Sequence, residues 1–130
     1  MKIEKGYTIP YVVHAISVMD LELLRKILLP KANTVFERSK IGTYLFDFER
    51  IFSRSHFEDF RFQVVHRCCP KKKCLNYAYT FISNYSQRSF TLYFYELDNG
   101  MIEIHECKKI KTENQIRFSS FIGDDIEVPF

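Results

Sequence analysis

The periodicity of the apolar residues changes once along the chain, near Phe60, and this change constrains the fold more than any other feature. Before it, apolar residues recur every three or four positions, as they do on one side of an α-helix. After it, they alternate with polar residues, as in a strand with one buried face. Helices followed by strands predict an α+β domain in which N-terminal helices pack on one face of an antiparallel sheet.

Three helices are predicted in the first half of the chain. Pro10 suits a first helical turn, and the helical spacing of apolar residues continues to Met19. Asp20 is a typical N-cap for a second helix, which Pro30 ends. Ser39 is the predicted cap of a third helix. The apolar stripe of that helix consists of Ile41, Leu45, Phe48, Ile51 and Phe52.

Alternating segments in the second half predict a four-stranded antiparallel meander. These segments cover residues 60–69, 75–81, 90–94 and 101–107. A further apolar segment at residues 126–130 is expected to form an edge strand or a docked terminus.

The register of the last hairpin depends on the turn at Asn99 and Gly100. A two-residue loop directs two side chains toward the face of Phe94, namely Glu103 and His105. A three-residue loop with a left-handed Gly100 directs a different set there, namely Ile102, Ile104 and Glu106. Because the second choice buries two isoleucines, we expect the three-residue loop.

Length and charge narrow the classes of function. A chain of 130 residues without a linker or repeat is expected to form one domain over residues 1–130. Its net charge of +3 is low for a nucleic-acid-binding protein, so no such partner is expected. No apolar stretch approaches the roughly 20 residues of a membrane span. Pro10, His14 and Ser17 interrupt the run 9–19, which makes a weak signal peptide, so we expect a cytoplasmic protein, with export as the alternative.

Strand pairing through short hairpins predicts a sheet face rich in aromatic residues. A four-residue loop 70–73 sets His66 opposite Tyr77 and Val64 opposite Tyr79. With the next hairpin, this pairing places on one face Phe62, Val64, His66, Cys68, Leu75, Tyr77, Tyr79, Phe81, Phe90, Leu92 and Phe94. The opposite face presents Arg61, Gln63, Arg67, Thr80, Thr91, Tyr93 and Tyr95, which are side chains typical of protein interfaces.

Three local patterns carry a family resemblance. They are Ala15-Ile16 before Met19-Asp20-Leu21-Glu22-Leu23-Leu24, Cys68 or Cys69 with Cys74 before Tyr77-x-Tyr79-x-Phe81, and Ile104-His105-Glu106-Cys107. Over residues 8–110 the chain resembles the nuclear-transport-factor-2-like superfamily (the cystatin-like α+β cone), and its small uncharacterised bacterial members in particular. The resemblance implies a curved sheet that forms a cone with a pocket, and a homodimer through the sheet. It implies no particular reaction, since this fold hosts many functions.

The aromatic face would line the pocket of such a cone. The expected ligand-binding residues are Phe62, Val64, His66, Tyr77, Tyr79, Phe81, Leu92, Phe94 and Ile104. Because the chain lacks a phosphate loop, a nucleophile elbow or a redox motif, we expect a noncatalytic module without a cofactor that binds a small apolar ligand or a protein partner. An immunity protein that neutralises a toxin is one alternative, which follows only from the use of this fold.

An enzyme of the isomerase or dehydratase type is the other alternative. In it His66 acts as general base and Tyr77 or Tyr79 as proton donor to an apolar carbonyl compound. The acidic partner is Glu103 or Glu106, depending on the turn at Asn99 and Gly100, and the expected three-residue loop favours Glu106.

The cysteines are close in sequence to His66, which raises the question of a metal site. Zinc favours imidazole and thiolate ligands. However, Cys68 and Cys69 are neighbours on a strand and point to opposite faces, and Cys107 lies about five residues farther along the sheet than Cys74. No metal site is therefore expected. In an exported protein Cys74 could instead form a disulfide with Cys68 or Cys69.

Overall fold

The fold consists of helices followed by one antiparallel sheet. A computed structural model describes residues 6–55, 61–68, 77–84, 87–107, 115, 116 and 118. Its helical elements are α1 (Thr8–Ser17), α2 (Leu21–Leu28), a 3₁₀ turn (Leu29–Lys31) and α3 (Val35–Ser55). Its strands are β1 (Phe62–Cys68), β2 (Tyr77–Ser83), β3 (Ser89–Glu96) and β4 (Ile102–Glu106), in the spatial order β1-β2-β3-β4. The predicted α+β class is confirmed, whereas the segment 126–130 lies outside the described residues.

Local signals fix the boundaries of α2. The Asp20 carboxylate accepts a hydrogen bond from the Leu23 N–H at 3.0 Å, as expected of an N-cap. At the other end Pro30 lies in the 3₁₀ turn that follows the helix. Both predicted boundaries are confirmed.

The third helix begins at Val35, so the prediction that Ser39 caps it is wrong. The Thr34 hydroxyl accepts a hydrogen bond from the Glu37 N–H at 3.0 Å, and the Glu37 carboxylate accepts one from the Thr34 N–H at 3.1 Å. This reciprocal pair is a capping box, which satisfies two N–H groups of the first turn. Glu37 also accepts a hydrogen bond from the Asn33 N–H at 2.9 Å. The Thr-x-x-Glu spacing was the sequence signal for this start.

The register of β1 and β2 differs by two residues from the predicted one. His66 lies opposite Tyr79 rather than Tyr77, and Cys68 lies opposite Tyr77 rather than Leu75. A shift of two residues leaves the described side chains of both strands on their predicted faces, since strands alternate with a period of two.

The other two strand pairs follow the predicted registers. Tyr79 lies opposite Leu92 in the β2–β3 pair. In the β3–β4 hairpin Gly100 has φ of +90°, and the Leu97 N–H donates to the Met101 carbonyl at 2.8 Å across a three-residue loop. The preferred loop is therefore confirmed, and it places on the face of Phe94 the side chains of Ile102, Ile104 and Glu106.

The core lies between the helices and one face of the sheet, which we call the inner face. Phe90 is at its centre, with no exposed surface and ring centroids 5.0–5.2 Å from those of Phe62, Phe81 and Phe118. The predicted apolar stripe of α3 is buried in the same core, at Ile41, Leu45, Phe48, Ile51 and Phe52.

Helix α3 covers the edge strand β4. The Tyr44 hydroxyl accepts a hydrogen bond from the Ile104 N–H at 3.3 Å. The Asn99 side chain, in the β3–β4 loop, donates to the Glu37 carboxylate at 3.0 Å. The first contact satisfies a backbone N–H at an edge that would otherwise be open to pairing with another chain.

Candidate functional site

The expected ligand-binding face divides into a filled part and an exposed corner. The filled part has side chains that are 0–7% exposed, namely Phe62, Phe81, Leu92, Phe94 and Ile104. They belong to one buried cluster with Val12 and Ile16 of α1 and with Phe48 of α3. Side chains of the protein itself therefore occupy this part of the inner face.

The exposed corner lies where β1 and β2 extend past the filled part. Val64 and His66 are exposed there, and Tyr79 is half-buried. The imidazole of His66 stacks on the Tyr79 ring, with centroids 5.0 Å apart, and the Tyr79 ring lies 5.8 Å from that of Phe94. The side chain of Tyr77 lies outside the described residues. This corner therefore joins three of the expected ligand-binding residues to the edge of the core.

The residues considered for acid–base chemistry are only partly brought together. His66 and Glu106 occupy the same row across the sheet, but Tyr79 and Leu92 lie between them. Three strand spacings of about 4.8 Å separate their backbones by about 14 Å. Glu106 is buried and accepts a hydrogen bond from the Gln115 amide at 2.9 Å. General acid–base catalysis needs partners within hydrogen-bond reach. Among the described candidates, His66 and Tyr79 lie side by side, but as stacked rings and not as a hydrogen-bonded pair.

We call the face of the sheet that is turned away from the helices the outer face. The residues that it exposes differ in part from those expected. Gln63 and Arg61 are exposed, as expected. Thr80 and Thr91 are not presented to solvent, because each is 1% exposed and their hydroxyls share a hydrogen bond of 2.7 Å. The side chain of Arg67 lies outside the described residues.

Three rings on the outer face form a group that we call the outer aromatic cluster, consisting of Tyr93, Tyr95 and His105. The His105 ring stacks on Tyr93, with centroids 5.0 Å apart and planes 14° apart. Tyr95 meets both rings edge-on at 5.6 Å. Tyr95 is 39% exposed, while the other two rings are half-buried. The cluster therefore presents one tyrosine that two other rings hold in place.

Charged side chains border the outer aromatic cluster. The Glu103 carboxylate lies 3.3 Å from Nε2 of His105 and 3.6 Å from the Lys40 ammonium. Sequence reasoning placed Tyr93 and Tyr95 on this face but did not include His105 or Glu103. The signal was the three-residue loop at Gly100, which turns both residues outward.

Arginines gather at a second place on the surface. Arg50, Arg54 and Arg88 line a shallow notch with Ile51 and Ile116.

Three findings concern metal ligands, cysteines and membrane spans in the part of the chain that the structure describes. Among the residues that the structure describes, no three side chains of His, Cys, Asp or Glu are placed to hold a metal ion. Cys107 is a buried free thiol, whereas Cys69 and Cys74 lie outside the described ranges. No helix in the described part of the chain is long and apolar enough to cross a bilayer.

Comparisons with known proteins found no match for this chain. No family model matches the chain, no curated protein matches it, and no solved structure matches its fold. The resemblance to the nuclear-transport-factor-2-like superfamily, and the cone that it implies, stay predictions.

Proposed function

We propose that this chain is a noncatalytic module that binds a partner protein through the outer face of its sheet. The observation that carries the proposal is the outer aromatic cluster, in which Tyr95 is exposed and supported by Tyr93 and His105. Tyrosine is enriched at protein interfaces, where it buries a large apolar ring and offers a hydroxyl for hydrogen bonding.

The cluster is organised before a partner arrives. Both neighbours of Tyr95 lie 5.6 Å from it, centroid to centroid, and they stack on each other. A ring held in this way loses little rotamer freedom on binding, and lost side-chain freedom is one of the costs of association. Tyr95 therefore has the properties of an anchor residue.

The border of the cluster suits the rim of an interface. Glu103 and Lys40 place opposite charges beside the rings, and both are partly exposed. Interfaces typically combine an aromatic centre with a polar rim that stays accessible to water. Such a rim contributes to the choice of partner more than to affinity.

The filled inner face favours a protein partner over a small apolar ligand. A ligand between helices and sheet would have to displace core side chains such as Leu92 and Phe94, which are 0% and 7% exposed. Interiors are packed about as densely as organic crystals, so such displacement is unfavourable. The enzyme alternative has less support, because Glu106 lies far from His66 across the sheet.

An immunity role would be one case of the proposed function, with a toxin as the partner. A toxin gene beside the gene for this chain would identify that case.

Site-specific photo-crosslinking tests the proposal. A photoreactive phenylalanine analogue replaces Tyr95 in one variant and Tyr11 in a matched control, because Tyr11 is a comparably exposed tyrosine on α1 (49% against 39%). Both variants are irradiated in the cells from which the sequence comes. We expect a discrete heteromeric adduct from position 95 and none of the same mass from position 11.

A second substitution links the adduct to the cluster. His105→Ala removes one of the two rings that support position 95, so we expect it to reduce the adduct at least severalfold while circular dichroism stays unchanged. An adduct of equal yield from position 11, or no adduct from position 95, would contradict the proposal.

A further inference from the structure

The side of α3 that faces away from the core carries exposed apolar residues. Phe46 is 64% exposed, and Val35 and Phe36 are each 75% exposed. Positions spaced alternately by four and three residues lie on one line along a helix. In α3 this outward line runs through Val35, Ser39, Gly42, Phe46, Glu49 and Ser53, all of them exposed. An apolar ring thus lies one turn from a glycine on the outer side of the helix.

Gly42 leaves room for another chain at this line. Glycine is among the least favourable residues in a helix interior, and no contact within the described residues requires it here. A Cβ atom at this position would have no atom within 4 Å, and the backbone conformation does not require glycine. The open surface beside Phe46 is therefore a place where a bulky side chain of another molecule can approach the helix closely.

We propose that two copies of this chain associate through α3, with the helices antiparallel about a twofold axis level with residue 44. Facing residues then have numbers that add to 88, so Phe46 of each copy lies over Gly42 of the other. The twofold axis makes this contact twice. α3 has 21 residues, and at 1.5 Å per residue it is about 31 Å long, which allows contact along several turns.

The charges on α3 fit this arrangement. Arg38 and Glu49 are both exposed, and a rotation of about 100° per residue puts them on the same side of the midline between Gly42 and Phe46. Neither makes an ion pair with any residue that the structure describes. The antiparallel arrangement keeps the same flanks of the two helices together and brings Arg38 of each copy beside Glu49 of the other. The charge pattern is thus complementary to itself.

The opposite flank provides a second pairing. Phe36 and Arg54 are exposed there, near the two ends of α3. In the antiparallel arrangement Phe36 of one copy lies beside Arg54 of the other, where a guanidinium can stack on the ring. The homodimer expected from the family resemblance would use the sheet instead, so the two arrangements can be separated by substitution.

Sedimentation velocity of the full-length chain over a wide concentration range tests the proposal. We expect a concentration-dependent dimer that Arg38→Glu and Glu49→Arg each weaken at least about fivefold, because each creates two like-charge contacts. The double variant R38E/E49R restores both pairs with reversed sign, and it should return the dissociation constant to within about twofold of the original.

Gly42→Leu separates association from stability. Leucine is a better helix former than glycine, so the monomer of this variant should unfold at a higher temperature. The added side chain occupies the space of Phe46 from the other copy, so the dimer should be at least tenfold weaker. Tyr11→Ser and Tyr95→Ser, which remove exposed rings on α1 and on the outer face, are the matched controls and should leave the dimer unchanged. A chain that stays monomeric, a dimer that Gly42→Leu leaves intact, or a dimer that Tyr95→Ser weakens would each overturn the proposal.

Discussion

Replacing Phe90 by alanine tests whether the inner face of the sheet is filled. The Phe90 side chain has no exposed surface and contacts three other phenylalanine rings at 5.0–5.2 Å. Removing a buried phenylalanine side chain typically costs about 3–5 kcal/mol. Each lost aromatic pair adds about 0.5–1.5 kcal/mol beyond the buried area, so we expect the upper end of that range.

Urea unfolding followed by circular dichroism measures this loss, and Tyr11→Ala is the matched control. Tyr11 is 49% exposed on α1, so its removal should change the free energy of unfolding by about 0.5 kcal/mol or less. Natural domains have only about 5–15 kcal/mol of stability, so Phe90→Leu serves as a milder variant if Phe90→Ala does not fold. A cost below about 2 kcal/mol for Phe90→Ala would refute the reasoning, because it would mean that the ring borders open space.

Three further predictions concern hydrogen bonds and backbone conformation. Thr91→Val leaves the buried Thr80 hydroxyl without the Thr91 hydroxyl and should lower the free energy of unfolding by about 1–3 kcal/mol. In a double-mutant cycle, the variant with both Thr80→Val and Thr91→Val should lose less stability than the sum of the two single variants. Hydrogen bonds, first from the Asn33 backbone and then from the Asn99 side chain, lower the pKa of Glu37 below its ordinary value of 4.5. The stability that the ionised Glu37 contributes is present above pH 4.5 and is lost as the pH falls toward the lowered pKa. Glu37→Gln should therefore flatten the acid side of a curve of unfolding free energy against pH. An unchanged curve would argue against this role of Glu37. Gly100→Ala should destabilise by about 1–2 kcal/mol because φ is +90° there, and a neutral result in thermal unfolding would contradict the strain.

Local signals in the sequence predicted those parts of the fold that depend on few residues. Asp20 caps α2 because a short carboxylate side chain reaches the N–H groups of the first turn. The turn at Gly100 allowed two loops, and the three-residue loop could be chosen because it alone turns Ile102 and Ile104 toward the core. The face of each strand residue whose side chain the structure describes followed from alternation alone.

Local signals did not determine two features, the start of α3 and the register between β1 and β2. Ser39 and Thr34 are both acceptable caps, and the deciding contact is the reciprocal one between Thr34 and Glu37, which the loop at Asn99 reinforces. The β1–β2 register depends on the length of its connection, and two registers that differ by two residues bury the same faces. Periodicity therefore identified the face of His66 but not its partner.

The sheet face of each candidate residue could be predicted from the sequence, but its exposure to solvent could not. Phe94 and Val64 share the inner face by alternation, yet the first is buried and the second is exposed, because the packing of helices on the sheet decides which residues are covered. Likewise Thr91 and Tyr95 share the outer face, but only Tyr95 reaches solvent to a large extent. Exposure of this kind depends on tertiary contacts that no local pattern encodes.

The central claim is that function lies on the outer face of the sheet and not between the helices and the sheet. The most direct test is an NMR titration of the isotope-labelled chain with the partner that crosslinking at position 95 identifies. We expect the largest shift changes at Tyr95 and His105, with those of Leu92 and Phe94 nearly unchanged. Changes centred on Leu92 and Phe94, with Tyr95 unaffected, would contradict the account.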